Sequence, residues 1–150
     1  MPKELSKSVV ATWIALMRAQ QTTLLKIERA FRDAKLPPLA WYDVLHELAE
    51  AGEGGLRPFE LIDRVLLAQY GVSRLLARLE ADGLVEKLPV SDDGRGQTVR
   101  ITASGREMRR RIWAVYGACI ADRMGDRLSA QNLKTLASLL GRLRDPPASD

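Results

Sequence analysis

The residues best suited to chemistry lie in the run LLAQYGVSRLLARLEADG, residues 66–83. Read at helical steps, Val72, Leu75, Leu76 and Leu79 form one apolar stripe. Tyr70, Ser73, Arg74, Ala77 and Ala81 fall on the opposite face, with Gln69 at its start and Arg78 alongside. Small residues in the middle of an exposed face let a helix approach a surface closely. Guanidinium groups on its flank then donate in a fixed fork to phosphate oxygens or to the acceptor edge of a base. The chemistry on offer is recognition of a polyanion in a groove. Bond making has little to work with: the chain holds one histidine, His46, one cysteine, Cys119, and no recognisable catalytic pair of carboxylates. These two residues cannot build a Cys/His metal site within one chain, so neither an enzyme nor a metal or other cofactor is expected.

The elements that must position this face can be read on either side of it. Val10, Trp13, Ile14, Met17, Leu24, Ile27 and Phe31 recur at three- and four-residue steps and predict one long helix from about Leu5 to Lys35, stopped by Pro37-Pro38. A helix of that length in a small domain turns part of its stripe toward another chain. Trp41, Val44, Leu45 and Leu48 predict a second helix closed by Gly52; Pro58 opens a short third one with Leu61, Ile62, Val65 and Leu66 inward. After the arginine-bearing helix, ended by Gly83, LVEKLPV and QTVRIT bracket the turn SDDGRG and read as a two-stranded hairpin. A hairpin placed there is a wing. Thr102 caps a fifth helix with Met108, Ile112, Val115 and Cys119 on one face. Arg106, Arg109, Arg110 and Arg111 crowd its first turns, the unfavourable end for the helix dipole, with phosphates or solvent as destinations. Ser129 caps a last helix carrying Leu133, Leu136, Leu139, Leu140 and Leu143, and the tail from 145 to 150 is expected to be disordered.

Composition sets the bounds. The 150 residues, 46% hydrophobic and 28% charged, suit one soluble domain. A net charge of +4 permits a polyanionic partner without demanding one. A lone cysteine fits a reducing cytoplasm; no apolar run approaches the roughly 20 residues of a membrane helix, and the first ten residues lack a signal-peptide core.

The run from Ser73 to Gly105, SRLLARLEADGLVEKLPVSDDGRGQTVRITASG, resembles the MarR family of bacterial transcription regulators. It is similar to that family's Ser/Thr-Arg helix, Leu-Glu-x-x-Gly-Leu-Val, a wing with Asp-x-Arg (here Asp93 and Arg95), and Leu-Thr-x-x-Gly (here Ile101, Thr102 and Gly105). The resemblance implies a mainly α winged helix-turn-helix with six helices and a small β-hairpin wing. It implies a homodimer held by helices at about 5–36 and 103–144, with a DNA-binding lobe at about 40–102. It implies a repressor on a pseudo-palindromic operator in double-stranded DNA, with Gln69, Tyr70, Ser73, Arg74 and Arg78 at the major groove. Arg95 would enter the minor groove, oriented by Asp93. A guanidinium is favoured in a narrow minor groove, where negative potential is focused. The expected helix cap near Ala68 is not a serine or threonine.

Relatives of this kind often respond to small aromatic effectors. By that resemblance Trp13, Met17, Trp41, Tyr42 and His46 are candidate pocket residues between the dimer region and the DNA-binding lobe, although aromatics at helical spacing also serve as core. Trp13, Asp43 and Lys87 fall where a urate-responsive subset keeps Trp, Asp and Arg, with Lys87 replacing the arginine. Cys119 reads as a core residue rather than a redox sensor. The competing function is a winged-helix module that binds protein instead of DNA, suggested by the modest net charge and by Glu80, Asp82 and Glu86 beside the arginine-bearing helix.

Overall fold

The computed structural model describes residues 4–66, 71–89 and 96–144. Helix α1 spans Lys7–Asp33 and opens where the Ser6 hydroxyl accepts from the Val9 N–H at 3.3 Å. It closes before the prolines. Lys35 adopts a left-handed φ of 56°, its N–H donates to the Arg32 carbonyl, and the Leu36 N–H reaches back to Phe31 at 2.9 Å. That pair of bonds is a Schellman closure, so Pro37-Pro38 follows the stop instead of causing it.

Helix α2 (Leu39–Ala51) ends at Gly52, whose φ is 74°. Helix α3 (Pro58–Arg64) starts with proline at its first position, and the Glu60 carboxylate accepts from the Arg57 N–H at 3.1 Å. It is shorter than its apolar pattern suggests. Leu61 and Val65 are buried, but Ile62 and Leu66 are exposed, because the backbone turns extended at Val65 and the helical period stops there. Helix α4 (Val72–Ala81) begins after Gly71, which takes a left-handed φ of 76° and offers no side-chain cap. The helix therefore opens several residues later than a cap near Ala68 would place it.

Strands β1 (Val85–Lys87) and β2 (Val99–Ile101) pair antiparallel, with Glu86 opposite Arg100. Leu56 adds a bridge to Val99 from the turn after α2, a third rung absent from the hairpin reading. Helix α5 (Ala103–Ile120) is capped by Thr102, whose hydroxyl accepts from the Gly105 N–H at 3.0 Å. The same hydroxyl donates to the Gly83 carbonyl at 2.7 Å. A π-helical turn, Ala121–Gly125, extends α5, and α6 (Ala130–Gly141) starts from the Ser129 cap.

Two cores result. One fills the lobe with Val44, Leu45, Leu48, Leu61, Leu76, Leu79, Val85 and Ile101, among others. The other joins Ile27 and Phe31 of α1 to Leu39 and Tyr42 of α2 and Ile112 of α5. Helix α5 thus runs from the lobe into the long-helix region. No helix among the described residues is long and apolar enough to cross a membrane.

Candidate nucleic-acid interface

Helix α4 divides as its sequence predicts. Val72, Leu76 and Leu79 are buried and Leu75 half-buried, while Ser73, Arg74, Ala77, Arg78 and Ala81 are exposed. The apolar stripe fixes the roll of the helix on the lobe, so both arginines are held outward. Among the described residues neither Arg74 nor Arg78 has an ion-pair partner, and Arg74 pairs with neither Asp82 nor Glu60. Gln69, Tyr70, Asp93 and Arg95 lie outside the described residues, as does the tail from 145 to 150.

The acids beside this helix are largely matched by cations of the hairpin. Glu80 pairs with Lys87 at 3.7 Å, and Glu86 accepts from the Arg100 Nε at 2.6 Å. Arg100 also reaches Glu53 at 3.4 Å, which ties the hairpin to the turn after α2. Exposed pairs of this kind contribute about 1 kcal/mol or less each. Their effect here is on the field: they remove negative charge from the flank of α4. Two arginines of α5 have other occupations. Arg110 pairs with Glu107 at 3.0 Å within the helix, and Arg109 turns inward to His46.

That inward arginine borders a cleft between α2 and α5. Leu39, Tyr42, Asp43, His46, Glu47 and Leu66 line one side, and Trp113, Tyr116 and Ile120 the other, around a volume of about 310 Å³. Arg109 lies over the Tyr42 ring, 5.9 Å from its centroid, and its Nη2 donates to His46 Nδ1 at 2.8 Å. Since a guanidinium only donates, His46 Nδ1 carries no proton in this contact. Asp43 is buried, and one of its carboxylate oxygens accepts from the Leu66 N–H at 2.9 Å. The cleft wall is thereby bonded to the chain just before the segment that enters α4. Burial pushes both the Tyr42 and the Tyr116 phenols above their usual pKa, and the Asp43 charge adds to the rise at Tyr116.

Of the residues expected to hold an effector, Tyr42, Asp43 and His46 meet in this cleft and four others do not line it. Trp41 packs against the lobe core, Trp13 is 60% exposed on α1, Met17 is half-buried on α1, and Lys87 sits on β1 against Glu80. Trp113 and Tyr116 were missed. They lie one row away from the Ile112 stripe of α5, and two aromatics three residues apart were the signal available.

The MarR family model matches residues 36–96, the stretch from the start of α2 through the hairpin turn. The fold extends the likeness over the rest. Sco3205 from Streptomyces coelicolor, a MarR family transcriptional regulator solved in complex with DNA, is 25% identical with a TM-score of 0.87, covering 100% of this chain and 96% of that one. Residues 36–96 thus match the MarR family, and the whole chain has the fold of MarR family regulators.

Two further MarR family structures share the fold. AbsC from Streptomyces coelicolor is 20% identical with a TM-score of 0.82, over 94% of this chain and 95% of that one. A cysteine-to-serine mutant of MarR from E. coli, complexed with operator DNA, is 22% identical with a TM-score of 0.76, over 95% and 100%. No curated protein sequence matches the chain. In MarR terms α3 and α4 are the helix-turn-helix and β1–β2 the wing. MarR family members are regulators, not enzymes.

Proposed function

We propose that this chain is a sequence-specific double-stranded-DNA-binding transcriptional regulator of the MarR type that acts as a homodimer on a pseudo-palindromic site in the cytoplasm. The observation that carries the reading is α4: one face is locked into the lobe core, and the other presents Ser73, Arg74 and Arg78 outward. The arginines lack protein partners among the described residues, and the neighbouring acids Glu80 and Glu86 are neutralised by Lys87 and Arg100. Those pairs weigh against a surface built for a basic protein partner. The DNA held by two of the structural relatives supports the same reading.

The dimer is assigned to the long helices. Val9, Val10, Trp13 and Ile14 of α1 and Leu139, Leu140 and Leu143 at the other end of the chain are exposed in the single chain, more apolar surface than a monomer keeps. The regions at about 5–36 and 103–144 supply this surface, and 40–102 supplies the DNA-binding lobe. Repression is relieved by a small molecule in the α2–α5 cleft, whose wall is bonded through Asp43 to Leu66. A ligand that favours a dimer with wrongly spaced α4 helices lowers DNA affinity by population shift.

The test is a mobility-shift titration on the intergenic DNA beside the protein's own gene, at two salt concentrations, with random duplex as competitor. Specific binding that weakens steeply with salt is expected, because phosphate contacts release counterions. Absence of binding at low salt sinks the reading in favour of the protein-binding module.

A further inference from the structure

His46 is the one histidine of the chain. An imidazole is the side chain that ordinarily changes charge between about pH 5 and 8. This one stands half-buried on α2, stacked on the Tyr42 ring at 17° with centroids 5.6 Å apart. Facing it from α5, Arg109 Nη2 donates to its Nδ1 at 2.8 Å. That bond exists only while the ring is neutral and carries its proton on Nε2. Once protonated, the ring has two donors and no acceptor, and it meets a guanidinium that can only donate.

The groups around the pair allow an exchange of partners. From α2, Tyr42, Asp43 and Glu47 line the same cleft as His46, and Glu50 lies 3.9 Å from Arg109 Nη2. From α5 the ionisable neighbours are Arg109 and Tyr116, and the chain after α3 contributes Leu66, which has no charge. Arg109 is incompletely held: its Nε is buried without an acceptor among the described residues. Glu50 stands beyond hydrogen-bond length, an acceptor in reserve. A second positive charge on His46 repels the guanidinium, and Glu50 attracts it. The pair also sits at a joint. Helix α2 contributes to the lobe core, and α5 carries Ile112 into the long-helix core.

We propose that His46 is a proton-operated latch on the DNA-binding form. Neutral, it holds Arg109 and fixes the set of α5 on α2. Protonated, it releases Arg109 toward Glu50, the joint loosens and operator affinity falls. The sign follows from linkage: the form that binds DNA carries the neutral ring, so binding releases a proton and affinity rises with pH through the imidazole range. The latch rests on the regulator reading for its effect on DNA, and one of its two readouts is independent of DNA.

With one imidazole in the chain, NMR of the full-length protein without DNA reads His46 alone. The Nε2–H tautomer is expected near pH 7.5. As the pH falls to about 5.5, the ring signals of Trp113 and Tyr116, on the opposite helix, should move with the His46 titration. An Nδ1–H tautomer near pH 7.5, or movement confined to Tyr42, which touches the imidazole, overturns the release of Arg109. Operator binding by mobility shift should weaken about fivefold or more over the same pH range. His46→Gln keeps an acceptor but cannot gain a charge, and should make the affinity independent of pH. The same loss of affinity at low pH in this variant overturns the latch. Wild-type protein that binds no duplex at either pH sinks the regulator reading and the effect on DNA with it, while the ring signals still decide the release of Arg109.

Discussion

The winged lobe and the long-helix region solve burial differently. In the lobe, Val44, Leu45, Leu48, Leu61 and Leu79 are completely buried by residues of the same chain. In the long-helix region, α6 buries no residue at all, and α1 buries only Ile27 and Phe31, both in its last two turns. Yet α1 and α6 carry apolar stripes as regular as those of α2 and α4. One chain therefore completes the lobe, while α1 and α6 leave apolar stripes open, the surface assigned above to the proposed dimer. In the proposed dimer the stability of the lobe is a property of one chain, whereas that of α1 and α6 depends on protein concentration as well.

The largest effect that separates the regions is expected from Leu48→Ala. It removes a fully buried side chain from the lobe and should cost about 2–5 kcal/mol, read as an equal loss in urea unfolding at low and high protein concentration. A loss that shrinks with concentration would mean the lobe is not closed on its own. Trp13→Glu probes the other region. It should weaken the dimer by about 2 kcal/mol or more, roughly thirtyfold in Kd by sedimentation, while the lobe keeps its near-ultraviolet signal. Unchanged dimerisation would remove the N-terminal half of α1 from the interface.

Arg74→Ala should cost about 1–3 kcal/mol of operator binding with dimer and fold intact, by mobility shift. An equal loss on random DNA would reassign Arg74 from bases to phosphates. Ser129→Ala removes the cap of α6 and should cost about 1 kcal/mol, visible only where α6 is folded against a second copy. The smallest effect is in pH. Tyr42 and Tyr116 bind their protons more tightly folded than unfolded, so their contribution to stability is complete below pH 10 and lost as the pH rises through their folded values. Absorbance at 295 nm should show two late-ionising phenols, both removed by Tyr42→Phe combined with Tyr116→Phe. Early ionisation of both would show that the junction of α2 and α5 is open to water.

Most helices were legible because their apolar period is long and unbroken, as in α1, α2 and α5. Ile62 and Leu66 were misread as inward because α3 has only seven residues, too few for the period to declare its end. The start of α4 was placed too early because its cap is Gly71, which works through a left-handed backbone and leaves no side-chain signature. The outward face of α4 was legible through its arginines and alanines. The cleft was half legible. Tyr42, Asp43 and His46 stand on one helix, but Trp113 and Tyr116 meet them only after α5 crosses α2, a tertiary event that one helix's spacing does not encode. The π-helical turn at Ala121–Gly125 has no residue signature that sets it apart from the helix it extends.

The Thr102 hydroxyl, bonded at once to the Gly83 carbonyl and the Gly105 N–H, has a mechanical consequence. Gly105 is pressed so closely on Leu84 that an added Cβ would lie 2.1 Å from its carbonyl oxygen. The end of α4 and the root of α5 are thus joined without slack, and α5 behaves as a torsion bar clamped at the lobe. Any twist applied to its far end, where the second copy is proposed to grip, arrives at α4 as rotation. A degree of turn in α5 then matters more to the spacing of two α4 helices than an equal displacement of any surface loop, and the stiffness of this one joint sets how faithfully that turn is transmitted.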